Sequence, residues 1–254
     1  MTASRWVAAL WLPAVLLVSW QVLADQGVLN AVFFPPPATL AATAVEMLRE
    51  GELQRHILAT LRRATEGFAV GVLAGMVAGL GMGASPFVRR SLDPLISAVW
   101  ASPKLSLLPM LILLLGIGDT PRIVLIALGC FIVVSLHLVD AVRGIHPAYV
   151  ELARNYGAGR AALLRRVYLP AVTPAAFTAV RLAFGRALTL AISVELVSSP
   201  EGLGNLIFMA WQGLLTERLY VAVGVAAGLG VFFHATLRWL ERRLITWRAD
   251  EKAR

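Results

Sequence analysis

Six long apolar runs constrain this chain more than any other feature. They occupy 6–23, roughly 64–82 (entering from as early as 56), about 92–115, 121–142, 171–197 and 219–240. A bilayer-crossing helix needs about 20 mostly apolar residues. Inside hydrocarbon every backbone polar group must be satisfied internally, which a helix does by itself. The runs therefore predict an all-α polytopic membrane protein with six transmembrane helices. Composition agrees: 58% of the 254 residues are hydrophobic and 15% charged, against about 45–50% and 25% in soluble domains. That excludes an ordinary soluble domain, and it excludes disorder, which needs low hydrophobicity and high charge.

The first run has a second reading. Arg5, the apolar stretch and Val22-Leu23-Ala24 resemble a signal peptide with its cleavage site, although the run is long for an h-region of about 7–15 residues. Cleavage would leave five spans.

The formal net charge is +8, a value that by itself points toward nucleic acid. Its distribution says otherwise. With the N-terminus inside, 15 of the 23 Lys and Arg residues fall on inner segments. They are Arg5, Arg89, Arg90, Lys104, Arg143, Arg154, Arg160, Arg165, Arg166, Arg238, Arg242, Arg243, Arg248, Lys252 and Arg254. Outer segments carry six basic residues against eight acids. Positive residues stay inside, so the charge is an orientation signal and both termini are expected in the cytoplasm. No aromatic–basic platform for single strands is present, and no nucleic-acid partner is expected. Trp6, Trp11, Trp239 and Trp247 lie near run boundaries, as interface anchors do, or as plain lipid or core contacts.

Several chemistries are excluded early. Cys130 is the only cysteine, so it forms no intrachain disulfide and reads as a packing residue. The two lysines, Lys104 and Lys252, lie in no phosphate-binding loop. ATP-driven work would need a partner. His56, His137, His146 and His234 show no metal-ligand spacing, and no nucleophile elbow appears. The chain is not expected to be an enzyme or to hold a metal.

Four segments depart from a plain span. Residues 25–55 form an outer loop in which 38–50 reads as an amphipathic helix. Leu40, Ala41, Ala44, Val45 and Leu48 share its apolar side, with Glu46, Arg49 and Glu50 off it, and Gly51 stops it. The second run carries Gly67, Gly71, Gly75, Gly79 and Gly83, every fourth residue. That is a smooth stripe for close helix packing, against this chain or a second copy. The third run contains Pro94, Pro103 and Pro109. It is either interrupted where backbone lines a cavity, or an entry turn followed by an ordinary helix.

The fifth run holds Arg181, Arg186 and Glu195. Arg186, Thr189 and Ser193 share one helix face. Glu195 is half a turn out of phase with Arg186, and it lies about 21 Å along the helix from Arg181. The Arg186–Thr189–Ser193 face is a candidate translocation path suited to an anion, or Arg186 is a structural tie to another span. Glu195, near the outer end, is a candidate for gating or for a helix-end bond.

The loop 143–170 carries the most specific signal. It runs Tyr149-Val150-Glu151-Leu152-Ala153-Arg154-Asn155-Tyr156-Gly157 and ends Val167-Tyr168-Leu169-Pro170. This resembles the EAA loop of binding-protein-dependent ABC importer permeases: E-A-A, three residues, G, nine residues, I-x-L-P. Leu152 and Val167 depart from that pattern, both mildly. Residues from about 35 to 247 look like the nitrate/sulfonate/taurine branch. Pro35-Pro36-Pro37, Gly51-Glu52-Leu53, Leu92-Asp93-Pro94, Gly116-Ile117-Gly118, Glu195-Leu196 and Gly202-Leu203-Gly204 carry that likeness.

The resemblance implies a type I ABC importer permease-like fold in the bacterial cytoplasmic (inner) membrane. It implies two ABC ATPase subunits, which would bind ATP and Mg, a second permease copy, and a periplasmic or lipid-anchored solute-binding protein. It makes Glu151, Ala153, Gly157, Leu169 and Pro170 the ATPase-coupling loop. The substrate would be a small solute, with an anion such as a sulfonate, taurine or nitrate favoured, passing through spans three to five between two copies. Physically, Glu151 would begin a short helix, Gly157 would allow a tight turn, and Pro170 would break the chain before the fifth span. A secondary transporter would show inverted repeats, and a membrane-embedded enzyme a nucleophile–base pair or metal ligands. Neither signature stands out.

Overall fold

A computed structural model of the chain describes residues 3–244. Trp247, Arg248, Lys252 and Arg254 lie outside the described residues. Helices account for the fold: α1 (Ala3–Asp25), α2 (Pro37–Arg49), α3 (Glu52–Ala84), α4 (Pro86–Ala101), α5 (Leu108–Leu115), α6 (Asp119–Arg143), α7 (Pro147–Asn155), α8 (Arg160–Leu163), α9 (Leu169–Ser198), α10 (Leu203–Gln212) and α11 (Thr216–Leu244). A 3-10 turn (Lys104–Leu107) precedes α5, and a π-turn (Leu164–Tyr168) leads into α9. No strand occurs among the described residues.

The chain forms two compact units. One holds the residues up to Ala59 together with Glu195–Gly228; the other holds Thr60–Val194 and the chain from Leu229 on.

The larger unit is built around α6. In its most apolar stretch 61% of residues are buried, against 11% in α11, so α6 is a core helix and α11 faces outward. The glycine stripe of α3 lies directly against α6. A Cβ added at Gly71 would stand 2.3 Å from the Ala127 carbonyl oxygen, and one at Gly83 would stand 2.5 Å from Val142 Cβ. Gly67, Gly75 and Gly79 meet Ile126, Val134 and Leu138 in the same way. Both residue numbers rise together along the seam, so α3 and α6 run parallel. Cys130 is buried within it.

Parallel packing fixes what lies between. The chain leaves α3 beside Val142 and enters α6 where Arg63 Nε meets Asp119 Oδ1 at 2.7 Å. Twenty residues of α3 separate those levels, about 30 Å at helical rise, which is about the thickness of the hydrocarbon core. The segment 86–115 must cover that distance, and it does so in two pieces bent by 102°. Ser85 caps α4 by accepting from Val88 N, and Pro86 occupies its first turn. Pro103 then forces Ser102 out of the helical region (ψ 139°), and α4 stops. The third run is thus two helices, not one. Ile96 of α4 shares a buried cluster with Ile132 and Val139, and Leu108 of α5 shares one with Leu125 and Val194. Lys104, counted on the inner side by sequence, therefore sits part-way along α6.

Helix α9 is antiparallel to α6: Cys130 Sγ lies 3.4 Å from the Ala183 carbonyl, while Val194 clusters with Leu125. Helix α11 is antiparallel to α9 in turn. Phe233 stacks on Phe184 with centroids 4.7 Å apart, and Arg181 pairs with Glu241.

In the smaller unit α2 folds back on the end of α1, where Gln21 Oε1 accepts from Ala38 N at 3.0 Å. Tyr220 stacks on Trp20, and its hydroxyl donates to the Phe33 carbonyl at 3.1 Å. Arg218 pairs with Glu52 at 3.0 Å. Gly51 closes α2 with φ 75°, a left-handed residue that glycine adopts at least cost. The buried side of α2 centres on Met47, 1% exposed, whereas Val45 and Leu48 are 47% and 42% exposed. Val45 and Leu48, on the apolar side expected from periodicity, face outward, and Met47 packs inward.

Three helices, Glu52–Ala84, Asp119–Arg143 and Thr216–Glu241, are long and apolar enough to cross a membrane, or four crossings with the bent pair counted as one. In α1 the described apolar stretch, Trp11–Asp25, is short. Helix α9 has 30 residues and three ionisable groups among them, so length and apolarity together give fewer than six.

Candidate functional site

Two regions answer to the sequence reading: α7 with its flanks, and one face of α9. Helix α7 starts at Pro147, and His146 caps it by accepting from Ala148 N at 3.3 Å. Glu151 is therefore in the middle of the helix, not at its start, because His146-Pro147 supplies the cap and first turn four residues earlier. The helix ends in a Schellman closure. Gly157 N donates to the Arg154 carbonyl at 2.8 Å and Ala158 N to the Ala153 carbonyl at 3.0 Å. Gly157 has φ 78°, so a side chain there would be strained. Ala153 and Gly157 are thus the two ends of one stop signal.

Pro170 does not break the chain. Backbone runs from the π-turn into α9 with Leu169 still helical, and Pro170 falls in the first turn of α9, where its missing N–H costs little. The π-turn, a rare conformation found mostly as a single turn within α-helices, makes the transition instead.

A feature of α7 that the motif did not reveal is its outer surface. Tyr149, Leu152 and Tyr156 stand at i, i+3 and i+7 and are 65%, 55% and 85% exposed. Three large apolar side chains on one face of a nine-residue helix, flanked by exposed Arg154, form a protruding surface that water does not favour. Their spacing was visible in the sequence as a helical stripe. The start of α7 borders a groove of about 650 Å³ lined by His137, Ile145, His146, Tyr149, Pro174 and Thr178.

On α9, Arg186 and Thr189 are exposed and Ser193 half-exposed. The hydroxyls are turned into their own helix: Thr189 Oγ1 donates to the Gly185 carbonyl at 3.0 Å, and Ser193 Oγ to the Thr189 carbonyl at 2.8 Å. Arg186 forms no hydrogen bond or ion pair among the described residues. Its aliphatic stem lies over α6, with Cγ 3.7 Å from where a Gly129 Cβ would stand.

Glu195 is separate from that stripe. It is 1% exposed, and its carboxylate accepts from Gly204 N at 3.1 Å, on the first turn of α10. A Cβ on Gly202 would stand 2.2 Å from the Glu195 carboxyl carbon, and Gly202 has φ 120°. His56 Nδ1 accepts from Gly202 N at 3.0 Å. Glu195, Gly202 and His56 therefore form one buried corner that holds the entry to α10, a helix the run-by-run reading did not find. No group of three or more potential metal ligands occurs among the described residues.

The family described as binding-protein-dependent transport system inner membrane component matches residues 71–246. The chain is 32% identical to the putative aliphatic sulfonates transport permease protein SsuC of Bacillus subtilis, over 96% of this chain and 88% of that one. It is 31% identical to the taurine transport system permease protein TauC of Escherichia coli, covering 93% and 88%. It is 33% identical to the riboflavin transport system permease protein RibX of Chloroflexus aurantiacus, covering 95% and 91%. Among solved structures, the MetNI methionine ABC transporter in an inward-facing conformation superposes with TM-score 0.68 at 18% identity, over 75% of this chain and 95% of that one. The fold is that of an ABC importer permease. The chain belongs to the family of binding-protein-dependent transport system inner membrane components, and it is the permease subunit of an ABC importer.

Proposed function

We propose that this permease imports a small organic anion of the sulfonate type. It works as a pair of identical copies with two ATPase subunits on the inner side and a solute-binding protein on the outer side. Both termini face the cytoplasm, six segments cross the membrane, and α7 docks in a cleft of the ATPase. The observation that carries the coupling role is the exposed Tyr149–Leu152–Tyr156 stripe on a helix closed at both ends. A capped helix moves as a rigid body, so force delivered to α7 reaches α6 through the short link 144–146 and α9 through α8 and the π-turn. Glu151, Ala153, Gly157, Leu169 and Pro170 shape that lever, and Tyr149, Leu152 and Tyr156 grip.

The anion reading rests on Arg186 in the exposed α9 stripe and on the sulfonate and taurine relatives. Guanidinium matches the planar or forked oxygens of such a head group. Co-purification and ATP-driven uptake test the whole. Leu152→Asp is expected to lower ATPase retention and uptake of a radiolabelled alkanesulfonate by about tenfold or more, with the melting temperature of the permease unchanged. Full retention of the ATPase by Leu152→Asp together with Tyr149→Ala would remove α7 as the dock. Uptake of riboflavin but of no alkanesulfonate would remove the anion.

A further inference from the structure

Beyond the α9 stripe, a second cation stands near Arg186. Lys104 lies in the 3-10 turn just after the 102° bend. Its ammonium is placed by Trp100: Nζ donates to the Trp100 carbonyl at 2.6 Å and lies 5.3 Å from the ring centroid. Depth follows from the packing. Leu108 clusters with Leu125 and Val194, and four residues of 3-10 rise carry Lys104 about 8 Å back along the fold. Arg186 rests over Gly129, one helical turn from Leu125. Both charges therefore occupy the middle of the α6 length, and the cluster of Leu108 with Val194 places the turn that carries Lys104 beside α9.

Two like charges at mid-depth are costly. Other arginines among the helices of this unit meet acids: Arg62, Arg63 and Arg122 meet Asp119, and Arg181 meets Glu241. Lys104 and Arg186 take part in no ion pair among the described residues. Of the three ammonium donors of Lys104, one is used by Trp100, and the guanidinium of Arg186 has five.

We propose that Lys104 and Arg186 form a two-cation site that holds the acidic head of a small organic monoanion part-way along the pathway, with Trp100 fixing the Lys104 stem. This rests on the reading that the α9 stripe lines the path. The bend at Ser102–Pro103 gains a purpose: it ends α4 and sets the turn that carries Lys104 beside α9, where Leu108 clusters with Val194. Thr189 and Ser193 extend the polar stripe from Arg186 toward the outer end of α9, giving an incoming anion a polar surface before it reaches the two cations. Two cations without an ion-pair partner among the described residues would attract a monoanion yet leave it exchangeable, as a transit site requires.

Calorimetric titration of the permease–ATPase complex in nanodiscs, without binding protein, tests this. The probes are ethanesulfonate, propionate, ethylphosphonate and uncharged propionamide. Saturable binding of at least one anion and none of propionamide is expected. Lys104→Gln and Arg186→Gln should each weaken it about tenfold or more, while Arg186→Lys stays within about threefold. Absence of saturable binding by all three anions overturns the site, as does equal binding of propionamide or unchanged affinity in both Gln variants. Retention of the ATPase, measured on the same preparations, reports the importer reading separately. A variant that keeps its ATPase and loses the anion supports the site and shows that the chain is folded.

Discussion

The α3–α6 seam and the exposed α9 stripe belong to the same unit and to long helices, yet they are opposites. Along the seam all five stripe glycines would place a Cβ within 3 Å of α6 atoms, several of them backbone carbonyls. On α9, Gly185 beside Arg186 has nothing within 4 Å of its Cβ position. A glycine in the seam is a steric necessity; a glycine on the stripe is open space. The difference separates a packed scaffold from an open face. Apolar contact without a gap keeps α3 and α6 as one body. The stripe keeps its charge and hydroxyls because it is not a packing surface.

The hardest way to break this contrast is to fill the seam. Gly71→Leu would drive a side chain into the Ala127 carbonyl, 2.3 Å from the first added carbon, and backbone cannot give way cheaply. The expected outcome is loss of folded, monodisperse permease on size-exclusion chromatography. A folded protein with near-native melting temperature would mean that α3 and α6 slide freely, and the scaffold argument would fail.

The next largest effect should come from the end of the seam. Asp119 meets Arg62, Arg63 at 2.7 Å and Arg122 at 2.9 Å. The side chains of Arg63 and Arg122 are only 4% and 8% exposed. Asp119→Asn leaves buried guanidinium charge without its carboxylate and is expected to cost about 3 kcal/mol, read as a fall in melting temperature. Arg62→Ala, at 58% exposure, should cost far less, because exposed pairs contribute little. Equal losses for the two would place the stabilisation in the surface pair.

How much of this was legible follows from which contacts are local. The glycine stripe was readable because every fourth residue is small, and only its partner, α6, had to come from the fold. The interruption of the third run was readable from Pro103, but its angle was not, since that depends on where Leu108 finds Leu125 and Val194. Gly157 was readable as a turn, whereas the start of α7 was missed because His146 is a less common cap than Ser or Asp. The corner of Glu195, Gly202 and His56 joins residues 146 positions apart and left no periodic trace. Lys104 was assigned to the inner side because charge counting treats each segment as a point. On α2, only packing shows that Met47 is the residue turned inward.

Substitutions off the seam should sharpen the contrast by doing little. On α3 itself, Gly81 lies outside the stripe, with Val88 Cγ1 3.6 Å from its Cβ position, an ordinary contact. Gly81→Ala is expected to change stability by less than about 1 kcal/mol, on the favourable side, since alanine loses less entropy in a helix. A Gly81→Ala loss as large as that of a stripe glycine would show that helical glycine itself, not the neighbour, sets the cost.

The smallest stability effect should come from the stripe hydroxyls, and it is also the most discriminating. Ser193 Oγ and Thr189 Oγ1 each bond a carbonyl one turn back on their own helix. That carbonyl keeps its backbone partner when the hydroxyl goes, so the bond is supplementary. Thr189→Val with Ser193→Ala should therefore shift stability by less than about 0.5 kcal/mol, below the effect of any seam substitution. Transport is where the pair should register. A hydroxyl satisfied by its own helix still has a lone pair and a rotatable proton to offer a passing solute, and its removal leaves an apolar step beyond Arg186. A few-fold change in uptake with an unchanged melting curve would place these residues on the path. A melting temperature lowered as far as in Asp119→Asn would mean that the stripe is packed against something, and the contrast between a closed seam and an open face would collapse.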